Sequence, residues 1–399
     1  MRVAIVSQYF RPEPGATQNR MAAFADGLAA RGHDVTVACE QPNHPVGVFH
    51  PGFGRRPVVT ERAGGQTVHR LWVATSPRKT TARRLAFYGT FAAGAAATVA
   101  RMPRPDVVLA TSPPLPGAAA ACAAARARGV PFVLDVRDIW PAAAEALGEL
   151  SDPRIVRALE RLERWLYLHA AALTATTRPF CRHIDAIAGR PVAEHIPNGA
   201  LDELIALPEP PARRDGAPFL VGYAGNFGIA QGLGIVLDAA ARLRDAPVRF
   251  VLVGGGPLRA QLEDERSRRG LGNVELRPPV PVEDVGPVLQ ACDALLAPLR
   301  AHPLLEDFIP SKVYDAMAVG RPVLVAARGE SADLVEREGC GLVVAPEDGE
   351  QLATAIRRLV AEPALAAHLG AAGRRWGSVA RALLDFACRY ASAVAAGSR

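Results

Sequence analysis

Asp307-Phe-Ile-Pro-Ser-Lys-Val-Tyr-Asp-Ala-Met-Ala-Val-Gly-Arg-Pro322 is the stretch from which the fold of this chain can be read outward. It reads as a short loop ending in Pro310 and Ser311, about two turns of helix, and a stop at Gly320. Ser311 has the chemistry of an N-cap, its hydroxyl accepting from an early backbone N–H. Lys312 follows in the first turn, where a cation sits poorly against the helix dipole unless an anion neutralises both. A lysine beside the N–H groups of a helix start is what a phosphate requires. Asp315 lies one turn further on, on the same flank. Such a cation and carboxylate can hold a diphosphate and a sugar hydroxyl. A capped surface helix with a local ion pair is the competing reading, and the rest of the chain must decide.

With 399 residues the chain exceeds a usual single domain, so two domains are expected. Hydrophobic residues make up 49% and charged residues 22%, the balance of a soluble globular protein. Lys+Arg 46 against Asp+Glu 40 leaves a net charge of +6, which favours anionic ligands or anionic lipid. No basic patch is interleaved with aromatics, so nucleic acid is not an expected partner. The six cysteines are scattered without a Cys-x-x-Cys pair and read as buried, reduced thiols. No cluster has zinc-ligand spacing, and no metal is expected. The chain starts directly on a strand, Met-Arg-Val-Ala-Ile-Val, too short and interrupted for a signal peptide, which leads us to expect a cytoplasmic protein.

From the N-terminus, the apolar run Val3–Ser7, a loop to Gly15, the helical spacing of Met21, Phe24, Ala25 and Leu28, and Val35–Cys39 form a βαβ unit with a parallel sheet. Ligands sit off the carboxyl ends of such strands, which makes the Pro14-Gly15-Ala16 turn a candidate ligand loop. Gly-x-Gly-x-x-Gly is absent there, against a nicotinamide enzyme, and no Gly-x-x-x-x-Gly-Lys-Ser/Thr occurs anywhere, against P-loop hydrolysis. Residues 42–54 read as loop, and Gln66–Trp72 as a strand. Arg78, Lys79, Arg83 and Arg84 precede the uncharged run Leu85–Ala100, with Phe87, Tyr88 and Phe91 at its start. A bilayer span needs about 20 strongly apolar residues, and this run falls short. It is either a basic-aromatic helix lying on a membrane surface or a buried scaffold helix with a solvated basic entry. Strands recur at Val107–Thr111, Phe132–Val136 and Leu173–Thr176. Arg137 and Asp138 close the second of these, either as site residues at a strand end or as a simple ion pair.

Leu207-Pro-Glu-Pro-Pro-Ala-Arg-Arg-Asp-Gly216 is Pro-rich, charged and without periodicity, the signature of a linker. A second α/β series follows, with strands at Phe219–Ala224, Val248–Val253, Ala294–Ala297, Val323–Ala326 and Gly341–Val344. The loop Gly225–Gly232 follows its first strand. Two such halves imply a cleft into which strand ends from both sides can face.

At this point the residues resemble a known family. Pro310-Ser-Lys-Val-Tyr-Asp-Ala-Met-Ala-Val-Gly-Arg-Pro-Val323 is similar to the nucleotide-sugar segment of GT-B glycosyltransferases, specifically the retaining family 4. Tyr9-Phe-Arg-Pro-Glu-Pro-Gly-Ala16, Gly32-His-Asp-Val-Thr-Val37, Pro42-Asn-His-Pro-Val-Gly47, Arg137-Asp-Ile-Trp-Pro141, Gly222-Tyr-Ala-Gly-Asn226 and Val253-Gly-Gly-Gly-Pro257 agree in order. The resemblance spans nearly the whole chain and leans to bacterial colanic-acid and O-antigen transferases. It implies two Rossmann-like α/β domains facing each other across a cleft. The acceptor-side domain would take residues 1–206, the linker 207–217, the donor domain 218–374, and a helix crossing back to the first domain 375–399.

The resemblance also assigns roles. Asp315 matches the second acid of a Glu-x7-Glu motif and would bond the ribose hydroxyls. Asp307 stands at the first acid's position near the donor sugar, with Glu306 as its substitute. Lys312 would face the diphosphate, flanked by Ser311, and Gly15 would let the backbone approach it closely. Gly225 and Gln231 occupy positions where the family often carries Arg and Lys, with Asn226 beside them, so Lys312 and backbone N–H groups must carry more of the leaving-group charge. Arg137-Asp138 stands where many members have His-Asp. An arginine stays protonated and cannot be a general base. That fits a retaining mechanism in which the departing diphosphate accepts the acceptor's proton.

The implied function is transfer of a sugar from a nucleoside-diphosphate sugar, UDP-linked by expectation, to a hydroxyl of a lipid-linked saccharide, with no metal and no cofactor beyond that donor. Peripheral contact with the inner face of the membrane is a further expectation. A small natural-product acceptor, a sugar-nucleotide 2-epimerase and a non-catalytic nucleotide-sugar-binding subunit are the alternatives.

Overall fold

In a computed structural model the described residues are 1–376, apart from Pro14, Pro45, Lys79, 147–149, Ser151, Leu201 and Asp215. They form two units, Met1–Pro197 and a second beginning at Asn198. The proposed crossing helix, 375–399, lies almost wholly outside the described residues.

The first unit holds an eight-stranded sheet. Its strands are β1 (Arg2–Val6), β2 (Asp34–Glu40), β3 (Val58–Ala63), β4 (Gln66–Leu71), β5 (Val107–Ser112), β6 (Phe132–Val136), β7 (Ala172–Ala175) and β8 (Ala193–His195). Their order is β3-β4-β2-β1-β5-β6-β7-β8. Every pairing is parallel except β3 with β4, an antiparallel ribbon at the edge. β3 went unread in the sequence because its residues alternate exposed and half-buried and carry Glu61 and Arg62, so no apolar run marks it. Six helices connect the strands: α1 (Ala16–Ala30), α2 (Thr81–Arg101), α3 (Leu115–Ala127), α4 (Ala142–Ala146), α5 (Pro153–His169) and α6 (Arg178–Ala188).

Period-two alternation sends Val3 and Ile5 of β1 and Val35 and Val37 of β2 to one face, where Met21, Phe24 and Leu28 of α1 cover them. Each such side chain contributes about 1.5–3 kcal/mol on burial. α2 turns Phe91, Ala95 and Val99 inward. A Cβ at Gly117 of α3 would lie 2.8 Å from the Phe91 ring, so the small residues of these helices are what lets them pack closely. The second half of this helix is buried scaffold, while its basic start is largely exposed, with Leu85 59% exposed. Among the described residues no helix is long and apolar enough to cross a membrane.

The second unit holds six parallel strands: β9 (Phe219–Asn226), β10 (Val248–Gly255), β11 (Val274–Arg277), β12 (Ala294–Pro298), β13 (Val323–Ala326) and β14 (Gly341–Val344). They run in the order β11-β10-β9-β12-β13-β14. Its helices are α7 (Asp202–Ile205), α8 (Gly234–Arg242), α9 (Arg259–Arg268), α10 (Val282–Gln290), α11 (Ser311–Val319), α12 (Glu330–Glu338) and α13 (Gly349–Ala361), with a further helix over 363–376. One core packs α8 and α13 on the sheet through Val236, Leu352 and Ile356. The other seats α11 through Val313, Tyr314 and Met317.

The expected linker is not free chain. The Pro208 carbonyl accepts from Gln290 Nε2 at 2.7 Å, and that of Pro211 from Arg321 at 2.8 Å. The stretch therefore belongs to the second unit, and the division falls earlier, at Pro197 and Asn198. Proline-rich sequence marked irregular backbone here, and side-chain donors fix that backbone in place. Of the cysteines, Cys39, Cys122, Cys292 and Cys340 are buried thiols, Cys181 is half-buried, and Cys388 lies outside the described residues.

Candidate active site

At the carboxyl end of β9 the chain passes through Gly225, whose φ of +140° is one that side-chain-bearing residues rarely adopt. Lys312, in the first turn of α11, lies across this glycine: a Cβ added there would stand 2.7 Å from Cε and 2.9 Å from Nζ. The ammonium also sits 5.1 Å from the centre of the Tyr223 ring, a cation–π distance. Tyr223 in turn donates its hydroxyl to the Asn226 carbonyl at 2.6 Å. Gly225 and Asn226 are exposed, so this strand end offers backbone and one lysine to whatever binds.

Asp315 shares with Lys312 a recess of about 30 Å³, together with Tyr223, Val285 and Leu289. Burial pushes the Asp315 carboxyl up to about 7, and the Lys312 charge works against that rise. Burial likewise pulls the Lys312 ammonium below its ordinary range, with Asp315 opposing. Each group holds the other's charge in a partly dry site, a shift pattern that clusters at functional positions. Both groups are desolvated, unlike the members of a surface ion pair.

Ser311 corrects one expectation. Pro310, with φ −61° and ψ 142°, occupies the cap position, and Ser311 is the first helical residue without a side-chain cap bond. Proline's fixed φ suits the cap. Gly320 stops the helix as read, in the left-handed conformation at φ 76°. Gln231 ends a 3₁₀ turn over Ile229–Gln231. Its amide oxygen and the Asn226 amide would stand 2.5 and 2.7 Å from a Cβ at Gly228, so the two amides converge on that glycine. Glu306 and Asp307 close another 3₁₀ turn, Pro303–Asp307. Gly329 abuts the Glu306 carbonyl, and Ser331 Oγ donates to the Phe308 carbonyl at 2.6 Å, which together fix this turn against α12.

Sequence reasoning missed Arg300. It follows β12, and its backbone N–H donates to the Ala230 carbonyl at 2.9 Å. Its Cγ would meet a Cβ at Gly232 at 3.1 Å, and its side chain is 52% exposed. A cation therefore stands against the very loop where the resemblance reported two missing. Its position just beyond a strand's carboxyl end was the available signal.

In the first unit, Arg137 does not present itself to a ligand as expected. Its Nε donates to Thr111 Oγ1 at 2.6 Å, one terminal nitrogen to the Pro113 carbonyl at 2.5 Å, and the other to Thr17 Oγ1. It ties the ends of β5 and β6 to the start of α1, and so acts as a positioning residue. Burial lowers its pKa to about 10, with Asp135 and Asp138 countering. Asp138 is half-buried beside it. Thr17 brings Arg137 to the turn of Gly15, where φ is +151° and a Cβ would meet Gln18 Oε1 at 2.3 Å. Among the described residues no group of three His, Cys, Asp or Glu could hold a metal ion.

Residues 15–199 match the model of a glycosyl transferase 4-like domain, and residues 218–362 that of glycosyl transferases group 1. A colanic acid biosynthesis glycosyl transferase, WcaI, of Escherichia coli is 25% identical over 384 residues, covering 91% of this chain and 93% of that protein. The 2-deoxystreptamine glucosyltransferase of Streptomyces kanamyceticus is 27% identical over 268 residues, covering 63% of this chain and 67% of the relative. Sucrose-phosphate synthase from Thermosynechococcus elongatus superposes with a TM-score of 0.73 at 18% identity, over 95% of this chain and 94% of the other. HepE of Anabaena in complex with UDP-glucose does so at 0.68 and 16%, over 98% of both. With two Rossmann-like α/β units of the GT-B class and a domain model matched in each, the chain belongs to the glycosyltransferases that follow a 4-like domain with a group 1 domain.

Proposed function

We propose that this enzyme transfers a sugar, with retention of configuration, from a nucleoside-diphosphate sugar to a hydroxyl of a lipid-linked saccharide in the assembly of a cell-surface polysaccharide. The observation that carries the reading is Lys312 laid across Gly225 beside Asp315. An ammonium 2.9 Å from a would-be Cβ leaves room for a diphosphate oxygen only because that Cβ is missing. Asp315 accepts from the ribose hydroxyls, and Asn226, Gln231 and Ser311 supply amide and hydroxyl contacts to the donor. UDP is the expected nucleotide, a choice supported by the complexes solved for HepE. The polysaccharide setting is supported by the colanic acid relative, matched over 93% of its length.

In the reaction, the bond from the anomeric carbon to the diphosphate oxygen breaks and a bond to the acceptor oxygen forms on the same face. The acceptor's proton passes to the departing diphosphate. Lys312 and Arg300 stabilise the charge growing on that leaving group, and Asp307 or Glu306 holds the sugar. Arg137 orients the strand end that leads to Asp138 and the start of α1 beside Gly15. No step calls for a metal or a cofactor.

A donor screen by mass spectrometry against lipid-linked and small hydroxylated acceptors tests this. Lys312→Ala and Asp315→Ala should each abolish donor binding, and donor affinity unchanged in both would overturn the assignment. A small natural-product acceptor is the second reading, supported by the 2-deoxystreptamine relative. Turnover confined to soluble acceptors in the same screen would favour it.

A further inference from the structure

We propose that a pocket at the carboxyl ends of β1, β2 and β4 in the first unit holds a phosphate or diphosphate group of the acceptor, with Arg78, Arg83 and Arg84 as its cations. The inference rests on the acceptor-side role proposed above for this unit. The pocket has a volume of about 220 Å³, and among the described residues no acidic side chain lines it. A diphosphate fits that space, and three guanidinium groups are the side chains best shaped to fork onto phosphate oxygens.

The floor is built before any ligand arrives. Asn43 is 3% exposed, its amide donates to Glu40 Oε1 at 2.8 Å, and its Oδ1 accepts from Thr75 Oγ1 at 2.7 Å. Glu13 Oε1 accepts the backbone N–H groups of Asn43 and His44 at 2.6 and 2.7 Å. The turn that brings Asn43 and His44 into the pocket is therefore held from below at four points. Burial pushes the Glu40 carboxyl well up, towards its neutral form, which lessens the negative charge beneath the site.

The wall is cationic. Arg83 and Arg84 sit in the first turn of α2, which carries no acidic residue there, and Thr80 gives no side-chain cap. Two positive charges at the positive end of a helix dipole are an unfavourable arrangement that an anion relieves. Arg83 donates to Ser76 Oγ at 2.6 Å, so its head is turned towards the pocket rim and not towards a carboxylate. Phe87 and Tyr88, with ring centres 5.4 Å apart, also line the pocket, and Leu85 stands exposed close by. Such an apolar collar suits a chain attached to the phosphate. The shared chemistry is the phosphate, carried either by a soluble sugar phosphate or by a prenyl diphosphate.

The test is equilibrium binding of inorganic pyrophosphate and of farnesyl diphosphate to the full chain. It is carried out in the Lys312→Ala, Arg300→Ala background, so that the donor-side cations do not report. Adding Arg83→Gln and Arg84→Gln should weaken both probes by about tenfold or more, the loss of at least one charge-assisted contact. Arg83→Lys with Arg84→Lys should retain part of the binding. If the glutamine variant melts early, Arg78→Gln in the exposed loop carries the same expectation. Similar affinity for the two probes assigns the site to a soluble phosphate, and clearly tighter farnesyl diphosphate to a lipid-linked one; both support the pocket. Equal binding with and without the arginines, or no binding of either probe, overturns it. So does adsorption only to vesicles of equal parts phosphatidylglycerol and phosphatidylcholine, which would make the patch a membrane surface. Because UDP binding is scored separately on Lys312, failure of the donor site and failure of this pocket are distinguishable.

Discussion

Arg20 and Asp135 form a bidentate ion pair inside the first unit, at 2.9 and 2.7 Å, with side chains only 2% and 1% exposed. Asp135 Oδ1 also accepts from Thr174 Oγ1 at 2.7 Å, and Arg20 donates to the Pro197 carbonyl at 3.0 Å. One pair thus joins α1, β6, β7 and the end of the unit. Removing one partner strands a buried charge, so Asp135→Asn should cost about 3–5 kcal/mol in denaturant unfolding. Exchanging both for apolar residues of similar volume, Arg20→Met with Asp135→Leu, should recover most of that loss. A single variant as stable as wild type would show that the pair is not what locks α1.

Asp315 gives the second prediction its sign. Its carboxyl is raised from 3.8 to about 7, so between those values the folded protein keeps a proton that the unfolded chain has released. Stability therefore falls as pH rises through that window and levels off above it. Asp315→Asn should gain stability over wild type at pH 8 and gain nothing at pH 4, read from melting temperatures. Parallel pH profiles for the two proteins would contradict the burial of this carboxyl.

Arg300→Ala should weaken binding of a nucleoside diphosphate about tenfold, an effect that shrinks as salt is added. Its ion pair with Glu347, 3.4 Å between half-exposed groups, contributes little to folding, so the melting temperature should hold. Arg300→Lys should restore part of the affinity. Calorimetry at two salt concentrations checks all three.

Gly225→Ala places a methyl group 2.7 Å from Lys312 Cε on a backbone at φ +140°. We expect donor affinity to fall at least as far as in Lys312→Ala, with the sheet intact by circular dichroism. A variant that binds the donor normally would mean the lysine has another route to the phosphates.

Much of this was legible in the sequence. The βαβ runs carried apolar residues at unmistakable periods, and Val107–Thr111, Phe132–Val136, Val323–Ala326 and Gly341–Val344 all lie within or coincide with observed strands. Lys312 and Asp315 were legible because helical spacing puts both on one flank. The edge ribbon β3 was not, since a strand with one wet side and mixed charges has no sequence period of its own to betray it. Nor was the engagement of Arg137, whose acceptors come from positions 17, 111 and 113 and meet only once the sheet is assembled. Arg300 escaped for the same reason: its neighbours at Ala230 and Gly232 belong to a different strand's loop.

The strand ends at Gly225 and Gly254 abut so closely that a methyl group on Gly254 would fall 1.9 Å from the Gly225 carbonyl oxygen, and one on Gly256 would fall 2.4 Å from Asn226 Oδ1. A surface made of bare backbone has no side chains to exchange. For the diphosphate proposed above, the contacts such backbone can make are therefore fixed, and any divergence in which sugar or base is accepted has to be written in the residues around it. An engineer seeking a new donor should leave the glycines alone and vary the turns that bear Gln231, Arg300 and Glu306.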